Sequence, residues 1–198
     1  MQKLDCIIIG AGFSGLYQLH CLRDKLKLNT LVIEEGKDIG GTWYWNTYPG
    51  ARCDSESFTY GFTFSEKIFK NWTWKERYPK QNVILKYLKY FSNKLKLKKN
   101  IVFNEKVISA KYIEKNNLWK VQTNNKKKYY TKYLICAVGS LSSINLPKIK
   151  GINQFKGQLH HSGRWPRKKI NFKNKIVGQV GTGSTGIQIA PEIAKKAK

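Results

Sequence analysis

Acidic residues are scarce in this 198-residue sequence: Asp and Glu number 12 against 37 Lys and Arg, which gives a formal net charge of +25. Such an excess raises the question of nucleic-acid binding. Arginine, which contacts bases and phosphates in a bidentate manner, is also scarce, because it supplies only five of the 37 basic residues. The lysines are scattered among asparagines, as in "TNNKKKYY". This pattern favours a compositional bias and predicts no nucleic-acid partner.

Cysteine pairs and long apolar runs are missing as well. None of the four cysteines forms a C-x-x-C pair, so the sequence predicts no metal site and a reducing compartment, the cytoplasm. Cys6 and Cys136 stand in apolar runs and are expected to be buried thiols. No run reaches the ~18 apolar residues of a membrane span. Asp5 and the early glycines also argue against a signal peptide.

What is present is the composition of a globular chain, 41% hydrophobic and 13% aromatic, with a strand–helix–strand pattern at its start. "LDCIIIG" (4–10) predicts a buried strand, 15–26 a helix and "TLVIEE" (30–35) a second strand. Residues 36–65 predict a long loop with short helical turns. Residues 81–97 predict an amphipathic helix whose apolar face is formed by Ile84, Leu88, Phe91 and Leu95.

A β-meander is predicted next. Three strand-like runs follow within residues 101–139, and the asparagine pairs 116–117 and 124–125 mark the turns between them. Residues 142–152 predict a linker, 175–180 a strand and 186–198 a helix. One strand and one helix cannot bury their own apolar faces, so we expect an N-terminal fragment of a longer protein. Gln179 is unexpected in a strand predicted to be buried.

Two glycine turns carry the functional signal. "GAGFSG" places Gly10, Gly12 and Gly15 between the first strand and the first helix. The first glycine allows the tight turn, the second lets the backbone approach a pyrophosphate, and the third lets helix pack on strand. Glu34 ends the next strand, where an acid can bind a ribose. "GTGSTG" repeats the spacing at 181–186, so we infer two dinucleotides and hydride transfer from a nicotinamide to a flavin.

The segment between these turns carries a family resemblance. "FKGQLHHSGRWP" (155–166) resembles the fingerprint of the Baeyer–Villiger monooxygenases, Phe-x-Gly-x-x-x-His-x-x-x-Trp-Pro, with His161 at the histidine position. "GGTWYWNTYPGARCD" (40–54) is similar to a second motif of that family. The resemblance implies an α/β chain: a Rossmann-like FAD-binding domain with an inserted β-meander over residues 1–145. A linker and the start of a Rossmann-like NADP-binding domain would occupy 146–198.

The resemblance also implies cofactor contacts. The FAD pyrophosphate would be held by Gly10, Gly12, Phe13, Ser14 and Gly15, and its adenosine ribose by Glu34. Gly41, Thr42 and Trp43 would line the flavin side, Tyr60 would pack close by, and Val107 would meet the adenine through its backbone. The NADP pyrophosphate would be held by Gly181, Thr182, Gly183, Ser184, Thr185, Gly186 and Gln188.

Two residues are implied in catalysis. Asp54 would lie near the flavin ring and the nicotinamide, and His161 would order the hinge between two moving domains. Structural alternatives stay open: Trp43, Trp45 and Tyr48 as core aromatic residues, Asp54 as a loop cap and His161 as a satisfied structural histidine. The catalytic arginine of the family would lie beyond Lys198.

The reaction implied by the resemblance is insertion of one oxygen atom from O₂ into a ketone. NADPH would reduce FAD, and a flavin C4a-peroxide would convert the ketone into an ester or lactone. One alternative is a flavin-containing monooxygenase that oxidises nitrogen or sulfur, although the Trp165-Pro166 ending is not typical of that group. Another is a catalytically inert basic fragment. The oligomeric state, the identity of the ketone and a choice of NADPH over NADH do not follow from these residues.

Overall fold

The computed structural model describes residues 4–198, which form two compact units. The first comprises the described residues up to Tyr44 together with Lys86–Ser142, and the second comprises Trp45–Leu85 together with Ser143–Lys198. Because each unit takes two stretches of chain, the units alternate along the sequence. A domain division at residue 145 stays a prediction.

The first unit contains one six-stranded sheet with the strand order β3-β2-β1-β6-β5-β4. The strands are β1 (Leu4–Ile9), β2 (Thr30–Ile33), β3 (Ile101–Val102), β4 (Val107–Ile113), β5 (Leu118–Thr123) and β6 (Lys128–Cys136). β1 pairs in parallel with β2 and β6, and β2 with β3, whereas β4, β5 and β6 pair antiparallel. Parallel strands are typically apolar because helices or loops cover both faces, as the run "CIII" in β1 illustrates.

β6 connects the predicted meander to the parallel part of the sheet. Its Thr131, which is fully buried, lies opposite Leu4 of β1 and also opposite Trp119 of β5. The asparagine signals are confirmed as turns. Asn117 has φ +50° before β5, and Lys126 has φ +61° at the end of the 124–126 turn. The meander is therefore an extension of the main sheet.

Five α-helices are described: α1 (Phe13–His20), α2 (Thr42–Trp45), α3 (Glu66–Lys70), α4 (Gln81–Lys94) and α5 (Ser184–Ala194). α1 continues into a π-helical turn, Cys21–Lys25. Three members of the predicted apolar face of α4 are confirmed, because Ile84, Leu88 and Phe91 are fully buried. The fourth, Leu95, is half-buried and follows the helix, which ends at Lys94 and not at residue 97. Among residues 4–198, no helix is long and apolar enough to cross a membrane.

Two expectations were wrong. Residues 175–180 form no strand, and Ile176 and Val180 are 88% and 83% exposed. A strand is defined by its ladder of hydrogen bonds, and no described strand lies beside this segment. Cys136 is exposed at the carboxyl end of β6, whereas Cys6 is fully buried as expected. Burial, with the nearby charge of Asp5, raises the pKa of the Cys6 thiol to about 11.

A buried glutamate contacts residues at the start of β6. We expect the stability that this contact provides to be lost at alkaline pH. Glu105 accepts from the Tyr129 hydroxyl at 2.9 Å and pairs with Lys127. Burial, followed by the hydrogen bond and charge of Glu105, raises the pKa of Tyr129 to about 12. The unfolded value is about 10. Since the folded pKa is the higher one, this stabilisation is complete below pH ~10 and is lost as the pH rises through the folded value.

We therefore expect the free energy of unfolding to fall between pH ~10 and ~12 by a smaller amount in Tyr129→Phe than in the wild type. Urea unfolding across this range measures it. Tyr133→Phe, which changes a tyrosine that is 49% exposed, is the matched control. Equal slopes in the Tyr129→Phe and wild-type proteins would contradict the assignment.

Candidate dinucleotide-binding turns

The first glycine turn connects β1 to α1, and two of its glycines are required by the protein's own backbone. Gly10 has φ +101°, and an added Cβ would lie 2.5 Å from the Ala137 carbonyl oxygen. A Cβ on Gly15 would lie 1.9 Å from the Gly10 carbonyl oxygen. A side chain at Gly10 would displace the backbone that follows β6, and one at Gly15 would push α1 away from the end of β1. The tight turn and the close helix–strand contact predicted for these glycines are confirmed.

Gly12 differs because no described residue requires it to be glycine. Its φ of −83° is open to any residue, and an added Cβ would meet only Gly41, at 3.5 Å and beyond. Gly12 precedes α1, and no side chain among the described residues caps that helix. The first turn of α1 thus directs backbone N–H groups toward a cradle that a Cβ would fill. This geometry fits a pyrophosphate.

Glu34 follows β2 and is 4% exposed. One carboxylate oxygen accepts from the Ala11 N–H at 2.7 Å and the other from the Gly36 N–H at 2.7 Å. The acid therefore fixes the glycine turn to the end of β2. The sequence did not indicate this structural task. Binding of a ribose by Glu34 stays a prediction, which its place at the end of β2 supports.

The segment that begins the second motif lies against the first glycine turn. The Gly40 N–H donates to the Ala11 carbonyl at 2.9 Å. Gly41 has φ +54°, and an added Cβ would lie 2.9 Å from the Gly12 Cα. Trp43 is 7% exposed, which agrees with a core role, whereas Thr42 is exposed. Of the other implied FAD contacts, Phe13 and Ser14 open α1, and Val107 opens β4 in the same unit.

The second glycine turn, in the second unit, repeats the geometry of the first. Gly181 has φ +109°, and Gly183 precedes α5 with φ −72° and ψ −177°. A Cβ on Gly186 would lie 2.5 Å from the Gly181 carbonyl oxygen, as in the Gly15–Gly10 contact. An added Cβ on Gly183 would meet no atom within 4 Å among the described residues. Thr182, Ser184 and Thr185 lie in this turn, so the implied NADP contacts share one helix N-terminus.

Gln179 is explained by this turn. It is exposed, not buried, and its side-chain amide donates to the Gly181 carbonyl at 3.0 Å. The amide therefore stabilises the turn, and its nitrogen lies 2.9 Å from where a Cβ on Gly186 of α5 would stand. The expected burial was wrong because it assumed a strand at 175–180.

The fingerprint segment forms an aromatic cluster around a short helical turn. His161 precedes the 3₁₀ turn Ser162–Arg164, and its Nδ1 accepts from the Gly163 N–H at 3.1 Å. Trp165 contacts His160 and Phe172, with ring centroids 5.9 and 6.3 Å apart. An added Cβ on Gly157 would lie 2.5 Å from the Phe155 ring. His161 thus has a capping function whatever else it does.

Arg164 connects the fingerprint to the second motif. Its guanidinium lies 4.8 Å from the centroid of the Trp45 ring, a cation–π distance. Asp54 is exposed in the loop that follows, and Tyr60 is half-buried after the 3₁₀ turn Ser57–Thr59. Gln188, on α5, contacts the loop 48–52. The sequence did not single out Arg164, which stands at no defined position of the fingerprint. Tyr48 belongs to the second motif, but the sequence did not predict its hydrogen bond to Gln188.

Comparisons with known proteins agree with this geometry. Residues 3–198 match the family described as "Flavin-binding monooxygenase-like". The chain is 45% identical to a cyclohexanone 1,2-monooxygenase of Acinetobacter sp., over 100% of this chain and 36% of that protein. A solved cyclohexanone monooxygenase from Rhodococcus sp. Phi1, bound to NADP⁺, matches with a TM-score of 0.94 and 40% identity over 99% of this chain and 37% of that one. These matches confirm the Rossmann-like α/β fold and the resemblance drawn from the fingerprint.

A relative with different chemistry matches nearly as well. The chain is 40% identical to a phenazine N-monooxygenase of Lysobacter antibioticus, over 98% of this chain and 36% of that protein. The chain therefore spans about a third of the length of the curated relatives it matches.

Proposed function

This chain belongs to the flavin-binding monooxygenase-like family, and from that premise we propose that it forms the dinucleotide-binding part of an NADPH- and FAD-dependent monooxygenase. The substrate class is a ketone, which receives one oxygen atom from O₂ and becomes an ester or lactone. The observation that carries this proposal is the repeated turn. Gly12 and Gly183 each precede a helix, and no atom of residues 4–198 requires either of them to be glycine.

The residues of the first turn would hold FAD. Phe13 and Ser14 would present the N–H groups of the first turn of α1 to the pyrophosphate, where the helix dipole favours negative charge. Glu34 would orient the ribose while it fixes Ala11. Gly41, Thr42 and Trp43 belong to the segment that contacts the first glycine turn and would line the flavin side, and Val107 would meet the adenine. When bound, FAD supplies the activation of O₂.

The residues of the second turn would hold NADPH in the same manner. Ser184 and Thr185 open α5 and would direct N–H groups and hydroxyls toward the pyrophosphate. NADPH supplies the reducing equivalents when bound. Asp54, Tyr60 and His161 lie in this unit, and we propose Asp54 and His161 as the catalytic and hinge residues of this chain.

Oxygenation of nitrogen is the second candidate function, because a phenazine N-monooxygenase is among the relatives. Two observations favour the ketone reaction: the complete fingerprint ending in Trp165-Pro166, and the match to cyclohexanone 1,2-monooxygenase.

We also propose residues 1–145 as the FAD-binding domain and 146–198 as the linker and the start of the NADP-binding domain. The four free cysteines support a reducing location, the cytoplasm.

The test is product analysis in the whole protein with FAD, NADPH and O₂. We expect a lactone from a cyclic ketone and little N-oxide from a phenazine or a tertiary amine. N-oxide without lactone would replace the proposal by the second candidate. Neither product, with DNA binding that falls steeply with salt, would indicate a basic binding module.

The 198-residue chain alone is expected to bind FAD and to form no lactone. The first turn is backed by β1 and β2, whereas the segment before the second turn forms no ladder among the described residues. The side chains of Ile176 and Val180 in this segment are exposed, so they do not pack against a core that would hold the second turn in place. The measurement is flavin absorbance after desalting together with lactone formation. Lactone at the rate of the whole protein would contradict this expectation.

A further inference from the structure

Gln188 connects the helix of the second glycine turn to a loop of the same unit. Its Oε1 accepts from the Tyr48 hydroxyl at 3.0 Å and from the Arg52 N–H at 3.2 Å. Its Nε2 donates to the Arg52 carbonyl oxygen at 3.2 Å. The amide therefore contacts both polar backbone groups of Arg52, as a neighbouring strand residue would. Such pairing fixes the loop backbone in position and orientation.

The closeness of helix and loop is a second, independent observation. Gly50 has φ +79°, and an added Cβ would lie 2.2 Å from the Gln188 carbonyl oxygen and 3.1 Å from the Glu192 Cγ. Only glycine combines this φ with this contact. The backbone of α5 at Gln188 thus lies directly against the loop, and the side-chain hydrogen bonds of Gln188 add to an established packing contact.

The other side of the loop is also held. Arg52 forms an isolated antiparallel bridge with Lys80, the Gln81 N–H donates to the Ala51 carbonyl at 2.8 Å, and the Cys53 N–H donates to the Pro79 carbonyl at 2.9 Å. The loop 48–52 is therefore fixed between α5 and residues 79–81. Asp54, two residues after Arg52, is exposed at the end of this fixed segment.

We propose that Gln188 is a positioning residue. It holds the loop 48–52, and through the loop Asp54, at a fixed position relative to the second glycine turn. Gln188 follows Ser184 by four residues, so it lies on the same side of α5, one turn from the N-terminus. A displacement of that helix end is transmitted to the loop through two hydrogen bonds to Arg52 and one to Tyr48. This assigns the Gln188 amide to the loop, whereas the resemblance placed it on the NADP pyrophosphate.

A functional consequence follows, and it rests on the proposed function. If the second turn holds NADPH, Gln188 sets where Asp54 stands relative to the nicotinamide end of that cofactor. Loss of Gln188 would leave the pyrophosphate contacts of the turn in place and misplace Asp54. The defect would then appear in kcat and in the product formed per NADPH consumed, with little change in the KM for NADPH.

The first experiment follows the loop itself. Trypsin cleavage after Arg52 is measured by mass spectrometry in the whole protein, for the wild type, Gln188→Ala and Tyr48→Phe. We expect cleavage at least about tenfold faster in Gln188→Ala, since three hydrogen bonds are lost, and a smaller increase in Tyr48→Phe. Ile187→Ala, which changes the adjacent and 69% exposed residue of the same helix, should leave the rate unchanged.

The second experiment separates positioning from direct binding. Gln188→Ala should lower product per NADPH severalfold at a nearly unchanged KM. In that background, Tyr48→Phe should have no further effect, because both residues act through one contact. Unchanged cleavage with a raised KM would overturn the proposal and make Gln188 a pyrophosphate ligand. Faster cleavage in a protein that never oxidises NADPH would refute the proposed function and support the loop contact. If Gln188→Ala does not fold, the Tyr48→Phe cleavage rate decides alone.

Discussion

Gly12→Ala is expected to give a folded protein that has lost FAD. The added Cβ would make only ordinary contact with Gly41, at 3.5 Å, so the fold should keep its stability. The same methyl group fills the cradle in front of α1, where the pyrophosphate would approach. If two charge-assisted hydrogen bonds are lost at ~1.5–3 kcal/mol each, affinity falls by at least about 100-fold. Flavin absorbance of the purified whole protein, with circular dichroism for folding, measures both effects.

Gly15→Ala is the contrasting variant. Its Cβ would lie 1.9 Å from the Gly10 carbonyl oxygen, so α1 would have to move away from β1. This variant should lose stability and flavin together, whereas Gly12→Ala should lose flavin only. A normal flavin content in the Gly12→Ala protein, or in the protein with the larger substitution Gly12→Val, would show that the first turn does not bind FAD.

His161→Ala is expected to keep FAD and to lose most NADPH-dependent oxygenation. The substitution alters none of the residues proposed to hold the FAD pyrophosphate and ribose, all of which lie in the first unit. The substitution removes the imidazole at the histidine position of the fingerprint, and with it the acceptor for the Gly163 N–H. If His161 orders a hinge, turnover should fall by about tenfold or more, which corresponds to ~1.4 kcal/mol of barrier. Flavin content, NADPH oxidation and lactone yield are measured on the same preparation.

His161→Asn separates the cap from the imidazole. Asparagine is a favourable residue before a helical turn, and its side-chain oxygen can accept from the Gly163 N–H. We expect this variant to keep the Ser162–Arg164 turn and to remain deficient in turnover, because the imidazole is absent. Full recovery of turnover would show that the histidine acts only as a cap. Wild-type turnover in both variants would show that the fingerprint segment acts only as a linker.

Local chemistry alone was enough to predict the two glycine turns. Gly10 and Gly181 stand at positive φ, and Gly15 and Gly186 lie against the carbonyls of those residues. These requirements are met within six residues of chain, so the spacing of the glycines already determines them. The buried face of α4 and the asparagine turns of the meander are local in the same sense, since each follows from a periodicity or from a left-handed backbone angle.

Contacts distant in sequence were beyond prediction. The hydrogen bond between Ala11 and Glu34 joins residues 23 positions apart, and the one between Arg52 and Gln188 joins residues 136 positions apart. No sequence pattern indicates that either pair is in contact. The position of Arg164 over Trp45 depends in the same way on how two loops meet. The predicted strand at 175–180 shows the reverse case. Its apolar run satisfied the local rule, but a strand requires a partner for its backbone hydrogen bonds, and only the tertiary structure decides whether one lies beside it.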